Sequence, residues 1–178
     1  MPKSTLDSYL DEVGLSLKFA EADIESAKIE IKEAHERGSR VWTLGNGGSL
    51  AVAQHFAQDL LKVHRIRAQC LNDPSVITAF TNDDGFGSCF YKPLLRLSQN
   101  EDVVIAFSCS GKSKNYKGIF DPMDDLLPRI KRIAIVGTDG GFMKDSADVS
   151  VHVKSDDYIV CEAAFGIVAD LINKGLET

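Results

Sequence analysis

No apolar run in this 178-residue chain approaches the roughly 20 residues that a bilayer-crossing helix needs. The opening stretch, MPKSTLDSYLDEVG, carries acid where a signal peptide would carry its apolar core, so a cytoplasmic protein without a membrane partner is expected. Cysteine is scarce and scattered. Cys70, Cys89, Cys109 and Cys161 form no C-x-x-C pair, which argues for free thiols in a reducing compartment and against a structural zinc knot. Basic excess is missing as well: 20 Lys and Arg stand against 26 Asp and Glu, for a formal net charge of −6. A nucleic-acid-binding surface needs clustered positive charge, so no direct nucleic-acid partner is expected. Internal repeats and low-complexity linkers are absent too. The remaining composition, 44% hydrophobic and 26% charged, suits one domain over 1–178 with a proper core.

Residues 5–37 read as helical, with Ile24, Ala27, Ile31 and Ala34 at helical spacing and a stop at Gly38. This arm, 1–38, precedes an α/β core over 39–178. It either packs on a neighbouring copy or covers the domain's own sheet. Short apolar strands then alternate with turns and helices. Residues 40–44 (RVWTL) lead into GNGGS and a helix to about Val63, and 102–107 (DVVIAF) lead into SCSGKS. Residues 132–136 (RIAIV) lead into GTDGG, 149–153 (VSVHV) follow, and 156–176 close the chain as a long helix. Apolar strands that end in Gly/Ser turns and feed helices mark a parallel sheet covered on both faces. Ligands of such sheets sit where strand carboxyl ends meet helix N-termini, and GNGGS and SCSGKS both fall there.

Three ligands compete for these turns. Dinucleotide binding fails because GNGGSL places Leu50 where G-x-G-x-x-G needs its third glycine. AFSCSGKS comes near the triphosphate loop G-x-x-x-x-G-K-[ST], but Ala106 replaces the first glycine. The turn also follows a later strand, and RIAIVGTD offers no clean strand-terminal Asp for magnesium. No nucleotide cofactor is therefore expected. A sugar phosphate fits better: Ser108, Ser110 and Ser113 put three hydroxyls beside backbone N–H groups at a helix start, with Ser49 at the other turn. Capping alone would account for one serine; three in six residues favour an anion. His55 and Asp59, four apart on the following helix, are either working groups or a solvated pair.

GNGGS…AQHFAQDL, TNDDGF, AFSCSGKS and IVGTDGG, in this order, resemble the sugar isomerase (SIS) domain family, most nearly its phosphoheptose isomerases. The resemblance implies a three-layer α/β sandwich with a five-stranded parallel sheet preceded by N-terminal helices. It also implies a homo-oligomer, usually a tetramer, with active sites between subunits. Carried over by position, Ser49, Ser108, Cys109, Ser110 and Ser113 would hold the phosphate, with Cys109 in place of a common threonine. Asn46 and Asp83 would contact the sugar hydroxyls. Asp59 matches the family's basic glutamate, and His55 matches a ligand of the zinc found in some members. The activity implied is aldose–ketose isomerisation of a phosphorylated sugar such as sedoheptulose 7-phosphate.

The last helix departs from the family pattern. Anchored on Glu162, the alignment puts Cys161 where a glutamine is usual and Ala169 where a histidine is usual, and alanine cannot transfer a proton. Asp170, His64 or His152 could stand in. Alternatively, His55, Asp59 and Cys161 could form a rebuilt Zn2+ site, since all three are competent ligands. A non-catalytic protein is the remaining reading: a sugar-phosphate sensor, or a scaffold like the SIS tetramers that bind the bacterial replication initiator. Pro122 and Pro128 interrupt a helix that family members run continuously.

Overall fold

The computed structural model describes residues 4–120 and 129–176. Two helices come first, α1 (Thr5–Leu17) and α2 (Glu21–Glu36). The helical reading of 5–37 therefore holds except for a break between Leu17 and Glu21. Ser4 caps α1 in a reciprocal box with Asp7. The core then runs β1 (Val41–Gly45), α3 (Gly48–Lys62), β2 (Ala68–Cys70), α4 (Pro74–Asp84), α5 (Tyr91–Leu97), β3 (Val103–Ser108) and α6 (Lys117–Phe120). It finishes with β4 (Lys131–Val136), α7 (Gly141–Ser146), β5 (Val149–His152) and α8 (Tyr158–Gly175). Pro122 and Pro128 lie outside the described residues.

The five strands pair in parallel in the order β2-β1-β3-β4-β5. Alternate residues feed opposite layers. Val103, Ile105, Phe107, Ile133 and Ile135 pack with α1, α2, α3 and α8, while Trp42, Leu44, Val104, Ala106, Ala134 and Val136 pack with α5, α6 and α7. Strands buried on both faces explain the unbroken apolar runs in the sequence. β2 is the strand that its sequence conceals. It has three residues at the sheet edge, with Gln69 exposed between Ala68 and Cys70.

The helical arm covers the chain's own sheet: Ile24, Ala27, Ile31 and Ala34 are buried in the core layer as their spacing predicts. Leu6, Leu10 and Leu15 of α1 stay exposed. Asp102 ties the amino ends of β1 and β3 together. Its buried carboxylate accepts from Arg40 N at 2.8 Å, Trp42 Nε1 at 3.0 Å and Gln99 N at 3.0 Å.

From β1 the chain crosses to β2 on one side, and from β3 it proceeds to β4 and β5 on the other. The winding thus reverses between β1 and β3, whose carboxyl ends are paired at Gly45 and Phe107. Such a reversal opens a crevice at the strand ends, and this is where GNGGS and SCSGKS emerge.

Candidate active site

The two turns form one rim. Ser49, nearly buried in the first turn of α3, faces Cys109, with Oγ and Sγ 3.9 Å apart. Ser108 Oγ accepts from Gly111 N at 3.1 Å, and Ser110 Oγ accepts from Lys112 N at 3.2 Å. Each hydroxyl therefore helps to shape its loop and keeps its own proton to give to an anion. Ser113 precedes the short turn Lys114–Tyr116 without a side-chain capping bond, so capping does not account for it. Lys112 is turned aside: its Nζ pairs with Asp139 at 2.6 Å, and both side chains are more than half exposed. That bond, with the Gly141 N–H, holds the Asp139 carboxyl below its usual range. The loop thus offers hydroxyls, amides and the N-terminus of α3 rather than a buried cation, which suits a phosphate monoester.

Asn46 is fixed at the crevice by a reciprocal amide pair with buried Asn115, at 3.2 and 2.8 Å. Asn115 also reaches Cys89 Sγ at 3.7 Å. No spacing or motif singles out Asn115; only the fold brings it to Asn46 across 69 residues. Glu162 is the other group that pattern reading left without a role. Its carboxylate lies over Gly48, so closely that a β-carbon on Gly48 would overlap it. The third glycine of GNGGS is therefore a close-approach position, and what approaches is an ionisable group.

Asp83 is not joined to the serines. It is exposed in the last turn of α4, accepting from Asn82 at 2.8 Å. The turn after α4, Phe86–Ser88, packs against Lys114–Tyr116 just past Ser113, which sets Asp83 on the outskirts of the rim.

Asp59 stands further off. It lies ten residues along α3 from Ser49, about 15 Å at 1.5 Å per residue. Its carboxylate accepts from Asn173 at 3.2 Å and Gln58 at 3.3 Å and sits 3.5 Å from His55 Nε2, whose side chain is 66% exposed. Within one chain the structure does not bring Asp59 to the phosphate loops.

The metal set also fails to assemble within one chain. His55 and Asp59 are neighbours, but Cys161 sits at the opposite end of the α3–α8 contact, beside Gly137 and level with the start of α3. Twelve residues of helix, about 18 Å, separate that level from Asp59, whereas zinc ligands all lie about 2 Å from one ion. Among the described residues no group of three His, Cys, Asp or Glu side chains is placed to hold a metal ion.

Of the candidate replacements for a histidine at position 169, Asp170 is exposed and His64 lines a cleft with Lys32, His35 and Arg65 at the far ends of α2 and α3. His152 lies at the carboxyl end of β5, its Nε2 2.8 Å from the Thr138 carbonyl oxygen. Thr138 Oγ1 in turn donates to the Cys109 carbonyl at 3.1 Å. His152 is thus the histidine at the working end of the sheet. It lines a cleft of about 710 Å³ with Thr138, Ser155, Asp156 and Asp157.

Comparison with known proteins matches this arrangement. The model of the SIS domain family fits residues 8–117. The phosphoheptose isomerase of Helicobacter pylori strain P12 is 36% identical over 131 residues, covering 70% of this chain and 67% of that one. The phosphoheptose isomerase of Geotalea uraniireducens strain Rf4 is 31% identical over 188 aligned positions, covering 94% and 98%. The solved structure of a phosphoheptose isomerase from Francisella tularensis superposes with a TM-score of 0.86 at 25% identity, covering 98% of each chain.

Proposed function

Since the chain belongs to the SIS domain family, we propose that it is a sugar-phosphate isomerase acting on sedoheptulose 7-phosphate or a ketose phosphate of similar length. The relatives' activity supports the reaction class. The carrying observation in this chain is the pairing of GNGGS with SCSGKS at the β1/β3 reversal, with a carboxylate over the first of them.

In this reading the phosphate is held by the hydroxyls of Ser49, Ser108, Ser110 and Ser113 and by the backbone around Cys109. Asn46, locked by Asn115, meets a sugar hydroxyl. Isomerisation removes a proton from C1 of the ketose, passes through an enediol and returns a proton to C2, with a second transfer between the two oxygens. Within one chain Glu162 is the carboxylate placed to move the carbon-bound proton. His152, linked through Thr138 to the Cys109 carbonyl, would serve the oxygens. Asp59 would act on a sugar held in the loops of a second copy, which is how the proposed homo-oligomer, a tetramer by resemblance, would complete the site. Asp83 would then close over the sugar from the end of α4. Among the described residues of one chain, His55, Asp59 and Cys161 are not placed to share a zinc ion.

A second reading rests on Ala169. With no proton-transfer group at that position, the domain would bind the sugar phosphate and report it, as a sensor or scaffold.

Incubating purified protein with sedoheptulose 7-phosphate, with chelator and with added zinc, and resolving the products by chromatography separates the two. Aldose heptose 7-phosphate formed in chelator supports the isomerase reading. Tight binding without product, with or without zinc, supports the sensor.

A further inference from the structure

Cys109 and Cys161, both unusual residues for this family pattern, meet behind the phosphate loop. Cys109 Sγ lies against the carbonyl of Tyr158, one turn of α8 before Cys161, so the two thiols are close enough to shift each other's titration. Neighbours fix both residues. Thr138 Oγ1 holds the Cys109 carbonyl at 3.1 Å, and Cys161 Sγ reaches the Ser155 carbonyl at 3.2 Å. Gly137, leaving β4, makes the meeting possible. A β-carbon there would overlap Cys161 Sγ and lie 2.8 Å from the Cys109 carbonyl oxygen. Cys109 is half-buried and also touches Ser49 Oγ and the Tyr158 carbonyl, each at 3.9 Å.

We propose that Cys109 and Cys161 are a modification site: a peroxide joins them in a reversible disulfide that draws the SCSGKS loop off Ser49 and blocks phosphate binding. The link itself goes beyond the proposed function; its effect on sugar-phosphate binding rests on that reading.

The chemistry balances. Cys161 is buried and Cys109 is the half-buried sulfur, so Cys109 passes its proton to the Cys161 thiolate and attacks one peroxide oxygen, giving a sulfenic acid and hydroxide. The second sulfur attacks the sulfenic sulfur and expels the other oxygen as hydroxide. The two thiol protons convert both hydroxides to water, so peroxide is reduced and two hydrogens leave the protein. The pair is polarised for this. The neighbouring Cys109 thiol, with the Thr138 backbone beside it, favours the Cys161 thiolate and brings its pKa down to about 7, while the same contact pushes Cys109 well up. Burial, Asp157 and Asp156 work against the thiolate at Cys161, as does the Ser155 carbonyl that accepts from its thiol. Cys70, with its pKa raised by burial, has no such advantage.

The test treats the whole reduced protein with one equivalent of hydrogen peroxide, blocks remaining thiols with an alkylating reagent, and maps peptides by mass spectrometry. Sedoheptulose 7-phosphate binding is measured by calorimetry before oxidation, after it, and after reduction with dithiothreitol. The expected result is one linked peptide joining Cys109 to Cys161, loss of two hydrogens, and at least about tenfold weaker binding that dithiothreitol restores. Cys70→Ser and Cys89→Ser should keep the link, and Cys109→Ser or Cys161→Ser should lose it. A link elsewhere, or sulfinic acid in place of a link in the unsubstituted protein, overturns the proposal. A Cys109–Cys161 link with unchanged binding overturns the loop closure. Reduced protein that never binds the sugar phosphate counts against the proposed function, while the peptide map still decides the disulfide.

Discussion

Asn173 donates a 3.2 Å hydrogen bond to Asp59 across 114 residues, the same separation that divides Glu162 from Gly48. The two contacts fix α3 and α8 as parallel helices in one register. Position 169 then stands level with His55, and Cys161 stands level with Gly47. Two ends of one helix pair thus carry different chemistry: Glu162 and the thiols beside the phosphate loops, and His55 with Asp59 three turns away. The pairing also explains why a metal set drawn from both ends cannot close within one chain.

Removing the carboxylate at the near end should cost catalysis and spare binding. Glu162→Gln is expected to lower kcat by about 10²–10⁴, the usual worth of a positioned acid or base. Affinity for the sugar phosphate should change by less than tenfold. Steady-state kinetics beside calorimetry checks this; a wild-type kcat would exclude Glu162 from proton transfer.

Asp59→Ala should also abolish turnover if a second copy completes the site, and here the readout is mixing. Combining Asp59→Ala with Glu162→Gln, each strongly impaired alone, should raise activity well above either in mixed oligomers after subunit exchange. No recovery in oligomers shown by mass spectrometry to be mixed would place both groups in one site or remove Asp59 from catalysis.

Gly111 stands at φ +62°, and a β-carbon there would run into the Gly140 carbonyl of the adjacent turn. Gly111→Ala should therefore cost about 1–3 kcal/mol from backbone strain alone, and more from the overlap. It should also weaken sugar-phosphate binding, because SCSGKS must move away from GTDGG. Urea unfolding and calorimetry on one preparation measure both effects.

Asp102 offers the contrast, since it lies at the amino ends of the strands. Asp102→Ala strands three buried or half-buried donors, Trp42 Nε1 among them, and should destabilise the fold by about 3 kcal/mol or more. In the protein that remains folded, kcat and KM should match the wild type.

Disulfide formation should follow the Cys161 thiolate. Its rate in peroxide is expected to rise with pH through a midpoint of about 7 rather than the ordinary thiol range. Asp156 and Asp157, just ahead of α8, oppose the thiolate. Replacing both with Asn should move the midpoint lower. Stopped-time alkylation and peptide mapping across pH give the curve.

Much of this was legible in the sequence, and the reasons for what was not are physical. β1, β3 and β4 announced themselves because strands buried on both faces are apolar throughout; β2, a three-residue edge, had too little pattern to show. GNGGS and SCSGKS could be placed at strand ends because glycine and serine mark turns. Their convergence followed only from the strand order, which pattern reading does not reveal. The i, i+4 spacing of His55 and Asp59 correctly put them on one helix face. Nothing in the spacing could show that Cys161 would land three turns away, since that depends on how α3 and α8 align. Asn115 and Glu162 stayed without a role for the same reason: their significance lies in what crosses from elsewhere to meet them.

The most direct test of the isomerase account is proton NMR of sedoheptulose 7-phosphate incubated with the protein in deuterated water, in chelator. An enediol intermediate predicts solvent deuterium appearing at C1 of the ketose and at C2 of the aldose product, both suppressed in Glu162→Gln. Saturating binding with no deuterium entering either carbon would contradict it and leave a sugar-phosphate-binding domain without proton transfer.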